Sequence, residues 1–107
     1  MNRADAFKNI KRIVVKIGTT SISDSNGVNI DFLNSMGNQI KRLQVKGIQV
    51  IVVSSGAIGS GAKILNLKAP IRVIELQQVA AAVGQPILMR AYEEVFSKYN
   101  LTVAQIL

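Results

Sequence analysis

The chain switches between short unbroken apolar runs and longer stretches in which apolar residues recur every three or four positions. Arg12 to Ile17 reads RIVVKI, a largely β-branched run closed by Gly18, and Ile48 to Val53 reads IQVIVV. Neither alternates cleanly with polar residues, so both are expected as strands buried on two faces. Between them Leu33, Met36, Ile40 and Leu43 recur at helical spacing, with Asn29 or Asp31 able to cap the start and Gly47 placed to end it. Strand, helix and strand in this order form a βαβ unit with a right-handed crossover and parallel strands.

The polar segment GTTSISDSNG, from Gly18 to Gly27, is expected as loop. After Pro70, VIELQQVAAAV and PILMRAYEEVFSKY predict two helices divided at Gly84, Gln85 and Pro86, the second opening with proline in its first turn. LTVAQIL then predicts a third strand. Because that apolar run stops at Leu107 without a turn, residues 1–107 are expected to be the amino-terminal part of a single α/β domain, its mostly parallel sheet incomplete.

Parallel strands carry their carboxyl ends on one edge, so the loop at Gly18 to Ser21 and the loop at Ser54 to Gly61 should converge where open α/β sheets bind ligands. The second loop lies in VVSSGAIGSGAKIL, with Gly56, Gly59 and Gly61 within six positions. Bare backbone leading into a helix amino terminus, with the Ser54 and Ser55 hydroxyls beside it, has the design of an anion cradle. The pattern fits equally a pair of helices that pack closely through glycine. It is not a P-loop: Gly56 to Lys63 reads GxxxxGAK, without the Ser or Thr that holds magnesium, and no GxGxxG fingerprint is present. Lys16 stands in the first apolar run, where its ammonium must reach the ligand edge, a counter-charge, or solvent beside an edge strand.

Composition narrows the chemistry further. The 107 residues suffice for one core, and 49% are hydrophobic, which argues against disorder. With no cysteine and no histidine, disulfides, thiolate metal sites and the commonest general base are all excluded. The six acids, Asp5, Asp24, Asp31, Glu75, Glu93 and Glu94, lie away from the strand-end loops, so neither a two-carboxylate mechanism nor a metal ligand is identified. The formal charge of +7 comes from thirteen scattered basic residues with few aromatics, so no nucleic-acid partner is expected. The opening MNRADAFKNIKR lacks the apolar core of a secretory signal, and no run approaches the length of a membrane span. A cytoplasmic protein without a membrane partner is expected.

Three segments, VVKIGTTSIS, VVSSGAIGSG and LQQVAAAVGQPILMRAYEEVF, resemble in order and spacing the glutamate 5-kinase family of the amino-acid kinase superfamily, across nearly the whole chain. The third segment is the most specific of them. The resemblance implies a three-layer α/β/α fold and transfer of the ATP γ-phosphoryl group to the side-chain carboxylate of L-glutamate, the first step of proline synthesis. It assigns Lys16 to neutralising the transferring phosphoryl group, with Gly18 and Thr19 along the phosphate path. It places Ser55, Gly56 and Ala57 at the glutamate. ATP and Mg2+ are implied as cofactors and a homo-oligomer as the full-length form, with no metal ligand among these residues. The stretch AAAVGQ is read as close helix packing and Glu93 and Glu94 as solvated charges. Since the groups that complete the site in that family lie beyond Leu107, the chain by itself is expected to be inactive. The alternatives are the kinase portion of a bifunctional pyrroline-5-carboxylate synthase and a non-catalytic glutamate or anion-binding fragment.

Overall fold

The computed structural model describes residues 2–68 and 70–107. A short helix α1 (Arg3–Phe7), capped by the Asn2 side chain, leads into strand β1 (Arg12–Ile17). There follow helix α2 (Thr19–Ile22), the two-residue strands β2 (Ser23–Asp24) and β3 (Gly27–Val28), and helix α3 (Ile30–Val45). Strand β4 (Gln49–Ser54), helix α4 (Ala57–Ile64) and helix α5 (Ile74–Ser97) complete the regular elements.

The βαβ unit forms as expected. β1 and β4 pair in parallel, Arg12 opposite Gln49 through Ile17 opposite Ser54. α3 begins where the Asn29 side chain accepts from the Phe32 amide at 3.0 Å. It ends at Gly47, whose φ of +82° lets the Ile48 amide turn back to the Leu43 carbonyl.

Four expectations need correction. The strands are not buried on both faces. Ile13, Val15 and Ile17 of β1 and Val50 and Val52 of β4 turn toward the helices, whereas Val14, Ile51 and Val53 remain 65%, 39% and 51% exposed on the other face. Only one helical layer, α3 with α5, covers this small sheet among the described residues. The Gly18 to Gly27 segment is not plain loop. It holds α2 and the β2/β3 ribbon, because Ile22 drops fully into the core and pins the turn around it.

The two carboxyl-terminal helices are one. α5 runs unbroken through Gly84, Gln85 and Pro86. Proline removes one helical bond, to the Ala82 carbonyl, but Ala82 and Pro86 face solvent, where water can satisfy that oxygen, and packing on α4 holds the axis. Finally, LTVAQIL is not a strand. Leu101 is buried, yet the segment has no ladder partner among the described residues, and a groove of about 1040 Å3 bordered by Val52, Ser54, Leu101 and Val103 lies between it and β4.

The core joins Ile17, Ile22, Leu33, Met36, Leu88, Tyr92, Val95, Phe96 and Leu101. Tyr92 and Phe96 meet edge to face at 5.4 Å, one helical turn apart on the buried stripe of α5. This core fixes the ends of β1 and β4 against α5. The site is built on those ends.

Candidate active site

The carboxyl ends of β1 and β4 lie side by side, Ile17 opposite Ser54. The Ser55 amide donates to the Ile17 carbonyl at 2.9 Å, carrying the parallel ladder one step past the strand. As a result the chain leaves β1 toward Gly18 and leaves β4 toward Gly56 from adjoining points. The expected convergence is therefore present.

Gly56 has φ of +114°, a conformation that a side chain would strain, and a Cβ there would stand 3.0 Å from Ile22 Cγ2. The turn after β4 thus rests on α2, the turn after β1. Gly59, one helical turn further, has no neighbour closer than the Ser23 hydroxyl. Gly61 answers the other half of the glycine question. A side chain at Gly61 would overlap the Ala80 carbonyl, and one at Gly84 would overlap the Ala57 carbonyl. Two of the glycines in this system, one on each helix, exist for the α4 and α5 contact, as the AAAVGQ stretch suggested.

Both readings of the glycine-rich stretch are thus realised at different positions. Gly61 and Gly84 draw the helices together. Gly56 makes the turn that starts α4, so that its first amides, of Ala57, Ile58 and Gly59, point back along the helix axis toward the turn. Those amides start the helix without intrahelical acceptors, and the helix dipole adds to their pull on an anion. Across the junction, Gly18, Thr19, Thr20 and Ser21 are exposed.

Ser54 and Ser55 play separate parts. The Ser54 hydroxyl donates to the Ser55 carbonyl at 2.8 Å and accepts from the Tyr92 hydroxyl at 2.7 Å. Ser55 has its amide bound to Ile17 and its carbonyl bound to Ser54, which leaves its hydroxyl as the polar group of that residue still free to meet a ligand. In the sequence Tyr92 reads only as one position of a helical segment. The available signal was its place four residues after Leu88 and four before Phe96, where a buried phenol needs a partner for its hydroxyl. Burial pushes the Tyr92 phenol above the ordinary tyrosine value, and the hydrogen bond with Ser54 offsets part of the rise.

Lys16 stands opposite Val53 and is exposed, on the sheet face that carries Val14. Lys16 therefore bears no burial cost. What remains is position: Lys16 is two residues from Gly18, at the end of the strand that feeds the site.

A magnesium ion does not fit these residues. Among the described residues no three acidic, histidine or cysteine side chains approach one another closely enough to hold a metal, and the loops at the strand ends carry no carboxylate. No helix among them is long and apolar enough to cross a membrane.

A parallel strand pair whose adjoining ends open into donor-rich turns is the place where open α/β sheets bind ligands. Residues 11–107 match the amino acid kinase family, and the chain belongs to it. Its relatives include the glutamate 5-kinase of Methanococcoides burtonii (strain DSM 6242), 47% identical over 107 residues that make up 99% of this chain and 28% of the relative. The glutamate 5-kinase of Geobacter sp. (strain M21) is 47% identical over 106 residues, 98% of this chain and 28% of its own length. That of Clostridium tetani is 42% identical over 107 residues, covering 99% of this chain and 40% of the relative. The chain thus spans little more than a quarter of the first two.

Proposed function

We propose that these residues form the phosphate and acceptor side of a glutamate 5-kinase site. The reaction moves the γ-phosphoryl group of ATP onto the side-chain carboxylate of L-glutamate. A carboxylate oxygen forms the new bond to phosphorus, the bond from phosphorus to the β,γ-bridging oxygen breaks, and ADP leaves with the electron pair. Little covalent chemistry falls to the protein, which has to position two anions and offset charge in transfer.

In this reading Lys16 offsets charge on the transferring group, Gly18 and Thr19 line the phosphate path, and Ser55, Gly56 and Ala57 hold the glutamate. The observation that carries it is the hydrogen bond from the Ser55 amide to Ile17. That bond puts a turn suited to one anion next to a turn suited to another. The substrate itself comes from the names of the relatives, 40% to 47% identical along the whole chain. The proposal extends to a cytoplasmic homo-oligomer acting on these two small molecules, with Mg2+ held by groups other than the residues described.

The test is an acceptor panel on the protein at the full length its gene encodes. ADP release should depend on L-glutamate and not on L-aspartate, N-acetylglutamate or carbamate. Release driven by another acceptor would contradict the assignment.

A further inference from the structure

Tyr92 is a buried polar group that the binding residues do not include. Tyr92 is 5% exposed, sits among Leu88, Val95 and Phe96, and yet sends its hydroxyl to the last residue of β4. From Ser54 the hydrogen bonds continue to the Ser55 carbonyl, at 2.7 Å and then 2.8 Å. A buried phenol pointed merely at core would be a poor substitute for phenylalanine, which fills the same space without a hydroxyl to satisfy.

The consequence lies in the peptide after Ser54. A strand-end turn that accepts an anion must present N–H and O–H groups to it and keep its carbonyl oxygens bound elsewhere, since a free carbonyl repels the ligand. The Ser55 carbonyl is held by Ser54, and Ser54 is oriented by Tyr92. The Ser55 amide is held by Ile17. With both ends of its backbone fixed, the Ser55 hydroxyl is directed by the peptide rather than by its own contacts. The next residue, Gly56, has the left-handed φ of +114° that begins α4, so rotation of the preceding peptide would also turn the first amides of that helix.

We propose that Tyr92 is a positioning residue for the phosphoryl acceptor, acting through Ser54 on the Ser55 turn. This rests on the kinase reading of the site and adds to it a residue from α5, more than thirty positions away in the chain. The effect belongs to the acceptor alone. Gly18 and Thr19 follow β1 and share no hydrogen bond with Tyr92 or Ser54.

The experiment compares wild type, Tyr92→Phe, Ser54→Ala and the double variant in steady-state kinase assays, on the protein at the full length its gene encodes. Tyr92→Phe is expected to raise the KM for L-glutamate about fivefold to tenfold, the loss of one hydrogen bond, with kcat and the KM for ATP within about twofold. Ser54→Ala should do the same, and the double variant should be no worse than Ser54→Ala, because the two residues act in series. Ser54→Ala breaks the relay from the strand side, so it decides the matter if Tyr92→Phe does not fold. An unchanged glutamate KM in an active Tyr92→Phe or Ser54→Ala enzyme would overturn the proposal while leaving the kinase reading intact. So would a fall in kcat with both KM values unchanged, the mark of fewer folded molecules. A wild type that phosphorylates no glutamate would overturn the kinase reading and the proposal with it.

Discussion

Gly84 in the middle of α5 lies with its bare backbone on the carbonyl of Ala57, in the first turn of α4, and no side chain fits between them. The contact holds the first turn of α4 against α5. It therefore links the packing of two helices to the direction in which the Ala57, Ile58 and Gly59 amides point.

Two glycine substitutions should consequently move stability in opposite directions. Gly84→Ala forces a methyl group into backbone that cannot rotate away, and should destabilise the fold by about 3 kcal/mol or more. Gly59→Ala enters an ordinary helical position where the new methyl meets nothing outside its own helix nearer than the Ser23 hydroxyl at 4.0 Å, and should stabilise by about 0.5 to 1 kcal/mol. Urea unfolding of both variants checks the pair. Equal losses would mean that α4 and α5 are not in contact as described.

Lys16 and Ser55 should separate in kinetics. The exposed Lys16 contributes no core packing, so Lys16→Ala should leave the melting temperature within about 1 °C while lowering kcat at least about a hundredfold, with little change in the glutamate KM. Ser55→Ala should raise the glutamate KM first. The reverse pattern would exchange the two roles.

Alkaline stability should depend on Tyr92. Its phenol is held neutral by burial to a higher pH in the folded chain than in the unfolded one, where the ordinary value of 10.0 applies. Below pH 10 both states carry the proton and the stabilisation is whole. As pH rises from 10 through the folded value, the unfolded chain ionises first and stability is lost. Wild type should thus lose stability more steeply above about pH 10 than Tyr92→Phe, by denaturant midpoints from pH 8 to pH 11. Parallel curves would show that the phenol is not buried in the fold.

The parts that local pattern could specify were legible in the chain. The β1, α3 and β4 unit follows from apolar spacing, and the Asn29 cap and Gly47 stop are local chemistry. The convergence of the two loops follows from parallel pairing alone. What pattern could not show was context. RIVVKI reads as a doubly buried strand, but Val14 and Lys16 lie on a face that no described element covers. Pro86 reads as a helix start, but packing at Gly84 and the exposure of Ala82 carry α5 past it. LTVAQIL has strand character without a strand to pair with. Lys16 stands out in the sequence for the cost of burying it, a cost it does not bear, whereas Tyr92 is hidden there because a phenol on a buried helical stripe looks like core.

In the proposed kinase a carboxylate and a phosphoryl group meet where Gly18 and Gly56 leave the sheet. The most direct test of that meeting is to trap the product. The protein, at the full length its gene encodes, is incubated with ATP, L-glutamate and hydroxylamine, which converts an acyl phosphate to a stable hydroxamate. The account predicts glutamyl hydroxamate formed in proportion to ADP and lost in Lys16→Ala. ADP formation without hydroxamate, or hydroxamate formation unaffected by Lys16→Ala, would contradict it.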